Sequence, residues 1–449
     1  MPKYGIDQIQ TLEGMTAIRT RPGMYIGSVG IDGIHQITLE IISNSIDEYL
    51  AGECNEIEVL VSNDDIIVIT DNGRGVPFGT KEDGSETLEN IFTKLHTGAK
   101  FNSDGSSGYN SSGGMNGIGS KATNALSEFF NVSSVRETKN AVMCFKEGRR
   151  IDYKVQPAKG SKRGTSIQFK PDKKIFKEGI SLNKERLSNQ LRELSFLCPG
   201  LKIELKYKDA EPQIFQSIRG TTDYVEFLTK DKSNKITNIF SVESIEGRHS
   251  VSMSLCYTSD YSEKIKLYTN NIPNTAGTHL TGFRTAMTRA VNEVARDLKL
   301  LKDKDENLSG EDLKEGLVLV LSVKMPDPIF NGQTKDVLTS SEGRTIVEKL
   351  ANKELKQWFS NNPNELKAIV SKAILAKKAR EAAKKARDLT RDKTKSVLSS
   401  KMQGKLTDCI SKDSDITELF LVEGDSAGGG AKAARDKQFQ AVLPLQGKR

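Results

Sequence analysis

The chain has 449 residues, of which 36% are hydrophobic and 28% charged, and its formal net charge is +7. No apolar run reaches the roughly 20 residues that cross a bilayer, and the opening MPKYGIDQIQ lacks the apolar stretch of a secretory signal. Membrane-spanning and secreted classes are set aside, the cytoplasm is the expected location, and the length suggests about two to four domains.

The first 170 residues mix helical and strand patterns. Gly33 to Leu50 reads as a helix whose polar residues Glu40, Ser43, Asn44, Asp47 and Glu48 share one arc. Taken alone, that pattern is an ordinary amphipathic surface helix. Ile57–Val61 and Ile66–Thr70 read as β-branched strands, split by the turn Ser62-Asn63-Asp64-Asp65. Thr87–Leu95 reads as helix, Lys100–Gly119 as a long loop rich in Gly, Ser and Asn, and Ser120–Ser127 as helix again. Val142–Val155 and Thr165–Lys170 read as further strands.

A second region opens near residue 220. Val251–Cys256 and Leu317–Val323 are strand-like, and Gly282–Leu300 is a long helical pattern. Two helical stretches follow, broken at Asn361-Asn362-Pro363. From Lys372 to Lys395 there are ten basic and three acidic residues, an excess equal to that of the whole chain. Such a run is either a solvated helix face or a contact with nucleic-acid phosphates. The last piece begins near Thr417 with the apolar strand Leu419–Val422, followed by a Gly-rich loop from Glu423 to Gly430. Strand, loop and helix in that order open an α/β domain.

Five cysteines (Cys54, Cys144, Cys198, Cys256 and Cys409) lie far apart with no C-x-x-C pair, and four histidines are equally dispersed. A zinc knuckle, a redox pair and a histidine metal site are not indicated.

Two motifs in the first region carry chemistry. Asp71-Asn72-Gly73-Arg74-Gly75-Val76-Pro77 follows a buried strand. The carboxylate can accept from an exocyclic amine such as adenine's, and the glycines leave room for a flat ligand. Taken alone, it is also a simple β-turn. Gly113-Gly114-Met115-Asn116-Gly117-Ile118-Gly119 opens a helix and exposes backbone N–H groups to an anion. It nearly matches a P-loop, but Ser120 stands where the lysine belongs, Lys121 comes one place late, and no strand precedes it.

Together with Arg21-Pro22-Gly23-Met24-Tyr25-Ile26-Gly27, these motifs resemble the GHKL ATPase superfamily. Within it they resemble the B-type family of type II DNA topoisomerases, gyrase B and topoisomerase IV B. The resemblance covers about Tyr4 to Lys448. It implies an α+β architecture: a GHKL (Bergerat) α/β sandwich over 1–220, a ribosomal-S5-like transducer over 221–395, and a linker with the start of a TOPRIM domain over 396–449.

The same resemblance assigns residues. Glu40 matches the general base, and Asn44 the ligand holding Mg²⁺ on ATP. Asp71 matches the adenine anchor, with Thr165 beside it. Arg74 and Glu48 match a pair closing one side of the pocket, over a floor that includes Gly75, Val76 and Pro77. Gly113, Gly114, Met115, Asn116, Gly117, Ile118 and Gly119 match the triphosphate lid, with Lys100 and Tyr109 near the nucleotide. Tyr4 belongs to an arm that reaches a second copy of the chain. Gln333 and Lys335, in Pro326-Asp327-Pro328-Ile329-Phe330-Asn331-Gly332-Gln333-Thr334-Lys335, match a transducer loop that reaches the γ-phosphate. Glu423, in Glu423-Gly424-Asp425-Ser426-Ala427-Gly428, matches a TOPRIM Mg²⁺ ligand.

The implied activity is ATP hydrolysis by the B-type partner of a type II topoisomerase. ATP drives dimerisation that captures a DNA duplex for the A-type partner to act on. A nucleotide-gated clamp with little turnover, MutL-like or inhibitory, is the alternative. Three residue-level features depart from the pattern: Ser43 replaces an Asp, Asn116 replaces a His, and the loop before Tyr109 is slightly long. The Asp-x-Asp pair expected beyond Glu423 to complete TOPRIM is not found between there and Arg449, which is read as either a shortened chain or a naturally split protein.

Overall fold

The computed structural model describes residues 12–95, 97–98, 117–160, 162–230, 235–332, 335–403 and 405–445, with 390–403 described by backbone alone. The chain divides into two compact units, Met1–Ala373 and Ile374–Arg449.

The first unit begins with α1 (Gly14–Thr20), α2 (Gly23–Ile26) and α3 (Ile31–Leu50). The hairpin β1 (Glu56–Val61) and β2 (Ile67–Asp71) follows, close to the bounds expected. Next come α4 (Thr87–Thr93), α5 (Gly119–Ala125), β3 (Ser127–Arg136), β4 (Lys139–Lys146), β5 (Arg149–Pro157) and β6 (Gly164–Pro171). Then α6 (Lys184–Leu197), β7 (Lys202–Tyr207) and β8 (Gln213–Phe215) complete one sheet, ordered β5-β4-β3-β6-β2-β1-β7-β8. All neighbours are antiparallel except β1 and β7.

Burial alternates along β1 and β2, so one face of the sheet is packed and the other partly open. Ile57, Val59, Val61, Ile67 and Ile69 share an apolar cluster with Ile34, Ile37, Ile41, Ile42 and Ile46 of α3. The apolar arc of α3 is thus buried against the sheet. Thr38, Ser45 and Asp47 are enclosed with the isoleucines, while Glu40, Ser43, Asn44 and Glu48 of the polar arc stay partly exposed. His35 is buried too. Asn183 N–H donates to His35 Nε2 (3.1 Å), leaving Nδ1 to donate to Gln190 Oε1 (3.1 Å). Asn183 also caps α6 by accepting from Arg186 N.

The stretch Val142–Val155 is a hairpin, not one strand. It turns at Glu147 and Gly148, both with positive φ, a turn that suits the right-handed twist of the paired strands. The helix expected at Ser120–Ser127 ends at Ala125, and Ser127 begins β3.

The second sheet follows α7 (Thr221–Leu228). Its strands are β9 (Phe240–Glu246), β10 (His249–Tyr257), β11 (Lys264–Thr269) and β12 (Ile272–Asn274). After β13 (Ala276–Gly277) and α8 (Thr278–Asp297) comes β14 (Leu317–Lys324), giving the order β12-β11-β14-β10-β9. Central β14 is buried on both faces. Val318 and Val320 join the cluster of the first sheet, and Leu317, Leu319, Leu321 and Val323 point to the other side. A short β15 (Val337–Leu338) pairs with β13. Helices α9 (Ser341–Asn361) and α10 (Pro363–Gln403) break at the expected Asn-Asn-Pro.

In the second unit, β16 (Glu418–Glu423) and β17 (Gln440–Leu445) are parallel and joined by α11 (Gly424–Ala434). The expected Gly-rich loop after Glu423 is helix from Gly424 onward. Its alanines favour helix, and Gly428 lets α11 lie on Pro444, to which an added Cβ would come within 3.0 Å.

Candidate functional site

The site forms where α3, the end of β2 and the start of α5 meet. Asp71 is the last residue of β2 and is 7% exposed. Its Oδ2 accepts from Ser45 Oγ (2.8 Å), and its Oδ1 accepts from Gly73 N (3.0 Å) and Thr165 N (3.4 Å). Sheet register sets Thr165 directly opposite Asp71. Burial raises the Asp71 pKa above the usual carboxylate range, and these three donors partly counter it.

The loop after Asp71 is held from both sides. Glu48 of α3 accepts from Arg74 Nε (3.0 Å), Arg74 Nη2 (2.9 Å) and the Arg74 backbone N–H (3.0 Å). This is a two-pronged ion pair of the kind that fixes orientation. From β3, Ser134 Oγ donates to Val76 O (2.7 Å), and Arg136 Nη1 donates to Gly75 O (2.8 Å).

These groups line a cavity of about 330 Å³ that includes Asn44, Glu48, Asp71, Arg74, Gly75, Val76, Pro77, Gly117 and Thr165. Nine site residues expected from sequence are thus brought together. Glu40 and Lys335 are not among them. They line a neighbouring cavity of about 500 Å³ with Gln36, Ser43 and the Gly23–Gly27 segment. Asn44 and Glu40 remain linked, since Asn44 Nδ2 donates to Glu40 O (3.1 Å), and Gln36 Nε2 donates to Glu40 Oε1 (3.0 Å). Gly119 abuts the same carboxylate. A Cβ built there would stand 1.9 Å from Glu40 Oε2, so any larger residue would displace the Glu40 carboxylate. Lys335 holds its place through its carbonyl, which accepts from Asn274 Nδ2 (2.9 Å).

Tyr4, Lys100, Tyr109, Gly113, Gly114, Met115, Asn116 and Gln333 lie outside the described residues, while Ile118 caps α5. Glu423 is exposed at the end of β16, with Asp425 two residues on. Among the described residues no three His, Cys, Asp or Glu side chains converge on one point.

Sequence reading missed Ser45, Ser134, Arg136, Thr97 and Lys121 as parts of the site. Ser45 had a signal, since it falls on the apolar arc of α3, where a buried hydroxyl needs a partner. Arg136 and Ser134 had none, because they act across the sheet from about 60 residues away.

A family model described as "Histidine kinase-, DNA gyrase B-, and HSP90-like ATPase" matches residues 30–175, and one described as "DNA gyrase B" matches 220–389. The B subunit of DNA gyrase from Clostridium acetobutylicum is 44% identical over 450 residues, covering 99% of this chain and 70% of the relative. The chain belongs to the DNA gyrase B family. The corresponding gyrase B of Halalkalibacterium halodurans is 42% identical over 449 residues, again across 99% of this chain and 70% of the relative. Among solved structures, the 43K ATPase domain of Thermus thermophilus gyrase B, in complex with an aminocoumarin, superposes with a TM-score of 0.69. It is 34% identical and covers 84% of this chain and 98% of its own. The topoisomerase IV ATP binding domain of Francisella tularensis, in complex with a small-molecule inhibitor, also gives 0.69, at 27% identity over 82% and 98% of the chains. In this gyrase B family member, the first sheet and its helices are the GHKL ATPase fold, and the second sheet belongs to the transducer. Among the described residues no helix is long and apolar enough to cross a membrane.

Proposed function

We propose that this chain is the ATP-hydrolysing B-type component of a type II DNA topoisomerase, with residues 1–220 as ATPase, 221–395 as transducer and 396–449 as the linker and start of TOPRIM. The observation that carries the nucleotide reading is Asp71. It is a buried carboxylate held by Ser45, Gly73 and Thr165, beside Asn44 in a cavity of about 330 Å³. Such a group orients one flat ligand bearing an N–H donor, as adenine does.

Glu40 is the proposed base. It stands four residues before Asn44 on α3, so both share one helix face. A carboxylate here orients a water for attack on the terminal phosphate and takes up its proton. Gln36 steadies the carboxylate through Oε1. Phosphoryl transfer asks mainly for such placement and for charge neutralisation. Asn44 is the proposed magnesium ligand. Its amide nitrogen is committed to Glu40 O, which assigns the amide oxygen as a hard donor that fits the ion. Bound magnesium would neutralise phosphate charge. Lys335 and Gln333 are proposed to report the terminal phosphate to the transducer, and Lys100, Tyr109 and residues 113–119 to cover it.

The proposed partners are duplex DNA, the A-type component of the topoisomerase, and a second copy of this chain engaged through the arm containing Tyr4. The DNA contact rests on the basic run 372–395 within α10.

One observation favours a second reading, a nucleotide-gated clamp with little turnover. Glu40 and Lys335 line a cavity other than the one holding Asp71. Dimerisation with a non-hydrolysable ATP analogue and negligible hydrolysis of ATP would select it. The nucleotide reading itself is tested by Asp71→Asn. This isosteric change removes the charge and half the acceptor capacity, and ATP affinity should fall by roughly 10- to 100-fold, the scale of a charge-assisted hydrogen bond. Unchanged affinity by calorimetry would remove Asp71 as the adenine anchor.

A further inference from the structure

The cavity of about 500 Å³ that holds Glu40 and Lys335 is also lined by α6, through Glu193 and Leu197, and by the β11–β12 hairpin, through Tyr268 and Ile272. Glu193 joins these two elements. Its Oε2 accepts from Tyr268 Oη (2.8 Å), and its Oε1 accepts from Lys266 Nζ (2.7 Å). Both acceptances come from β11. The Tyr268 proton is thus committed, so Tyr224 of α7 donates to Tyr268 Oη (3.0 Å). Phe196, three residues along α6, stacks on the Tyr224 ring with centroids 4.8 Å apart.

The two tyrosines are almost fully buried. Burial, with the Glu193 carboxylate nearby, raises the pKa of both phenols, so each keeps the proton it donates. A buried hydroxyl without a partner is costly, and Tyr268 therefore holds to Glu193. Glu193 and Lys266 both reach solvent, which makes their ion pair the weaker attachment.

The far side of the hairpin carries the segment that bears Lys335. Asn270, in the turn, donates through Nδ2 to Met325 O (2.9 Å) and accepts at Oδ1 from Met325 N (2.8 Å). Asn274 Nδ2 donates to Lys335 O (2.9 Å), and Thr275 N donates to Asp336 O (2.8 Å). Lys335 itself has a φ of 59°, a left-handed conformation that a non-glycine residue keeps only where its surroundings hold it. The segment from Met325 to Asp336 is thereby fastened at both ends to the hairpin, and the hairpin is fastened to α6 by Glu193.

We infer that Glu193 is a positioning residue for ATP hydrolysis: it fixes the β11–β12 hairpin on α6 and, through the hairpin, sets where Lys335 stands relative to Glu40. The inference rests on the proposed function, in which Glu40 is the base and Lys335 meets the terminal phosphate. Glu193 acts through Lys335 and leaves the cavity holding Asp71 as it is.

The test is a double-mutant cycle on the whole chain. Steady-state hydrolysis and ATP affinity are measured, with magnesium present, for Glu193→Ala, Glu193→Gln, Tyr268→Phe, Lys335→Ala and the pairing of each Glu193 or Tyr268 change with Lys335→Ala. Misplacing a group by about 1 Å costs on the order of 100-fold. Glu193→Ala and Tyr268→Phe should therefore lower kcat by about 10- to 100-fold with ATP affinity retained. Glu193→Gln keeps an acceptor for Tyr268 and should lose less. In the Lys335→Ala background, neither Glu193→Ala nor Tyr268→Phe should lower kcat further, because both act through the same lysine. The isosteric Tyr268→Phe carries the test if Glu193→Ala does not fold. Losses that multiply in the paired variants would overturn the inference, as would an unchanged kcat or a loss traced to weaker ATP binding. Those results, alongside a Lys335→Ala chain that has lost turnover, reject Glu193 alone. An unsubstituted chain that hydrolyses no ATP rejects the proposed function first and this inference with it.

Discussion

A carboxylate buried at a strand end is unfavourable unless donors converge on it. Asp71 has three, from a helix hydroxyl and two backbone N–H groups on different segments. Burial nonetheless leaves its pKa above the ordinary 3.8. For stability, a carboxyl whose folded value is raised helps below the ordinary value and ceases to help as pH rises through the raised one. Adenine binding runs the opposite way, because an amine donor needs the ionised carboxylate. ATP affinity should therefore fall on acidification, beginning above the usual carboxylate range. The acid limb should vanish in Asp71→Asn, as affinity measured across pH will show. The carboxylate at the strand end was legible in sequence because a β-branched strand leads straight into Asp-Asn-Gly-Arg-Gly. Its neighbour Ser45 was not singled out, since a serine among isoleucines reveals its partner only when β2 is laid across α3.

Helix α3 illustrates what periodicity does and does not convey. The arcs drawn from Gly33–Leu50 correctly separate apolar from polar residues, yet Asp47 on the polar arc is 1% exposed while Glu40, Ser43, Asn44 and Glu48 beside it stay partly open. A helical pattern reports the faces of one element and is silent about how many neighbours enclose it. The same limit explains Glu40 and Asn44. A spacing of four places them on one face, but the surrounding loops decide which cavity each lines. Across β4 and β5, the alternation continues through both strands, so the Glu147-Gly148 turn was masked. Close helix packing was equally hidden. Gly282 of α8 lies against α9, where an added Cβ would stand 2.4 Å from Arg344 O. Alanine there gains about 1 kcal/mol of helix propensity, but overpacking against rigid backbone costs about 1–3 kcal/mol. Gly282→Ala should therefore lower the thermal midpoint, and a raised midpoint would show that α8 and α9 can separate without loss.

At the scale of the whole molecule, the net charge of +7 and the basic run at 372–395 point to a polyanionic partner. Lys384 and Lys385 lie on an exposed stretch of α10. If they meet phosphates, replacing both with glutamine should weaken duplex DNA binding. It should also reduce the slope of log affinity against log salt by up to about 1.8, at roughly 0.9 for each phosphate no longer neutralised. An unchanged slope would make the run a solvated helix face. Within the first unit, one apolar cluster runs from Ile57 and from Ile41, which lines the cavity holding Asp71, to Val318 and Val320 of the second sheet. Family membership and the order of the motifs were legible from sequence, because each motif sits at a strand end or helix start with its own backbone signal. The division of the site between two cavities was not, since it arises where segments about 80 to 300 residues apart come together.

Steady-state ATP hydrolysis by the unsubstituted chain and by Glu40→Gln, with ATP affinity measured in parallel, tests the central claim most directly. A positioned general base contributes about 100- to 10,000-fold. The account predicts a loss of turnover on that scale with ATP affinity retained. Equal turnover in the two proteins, or a loss traced entirely to weaker ATP binding, would contradict it.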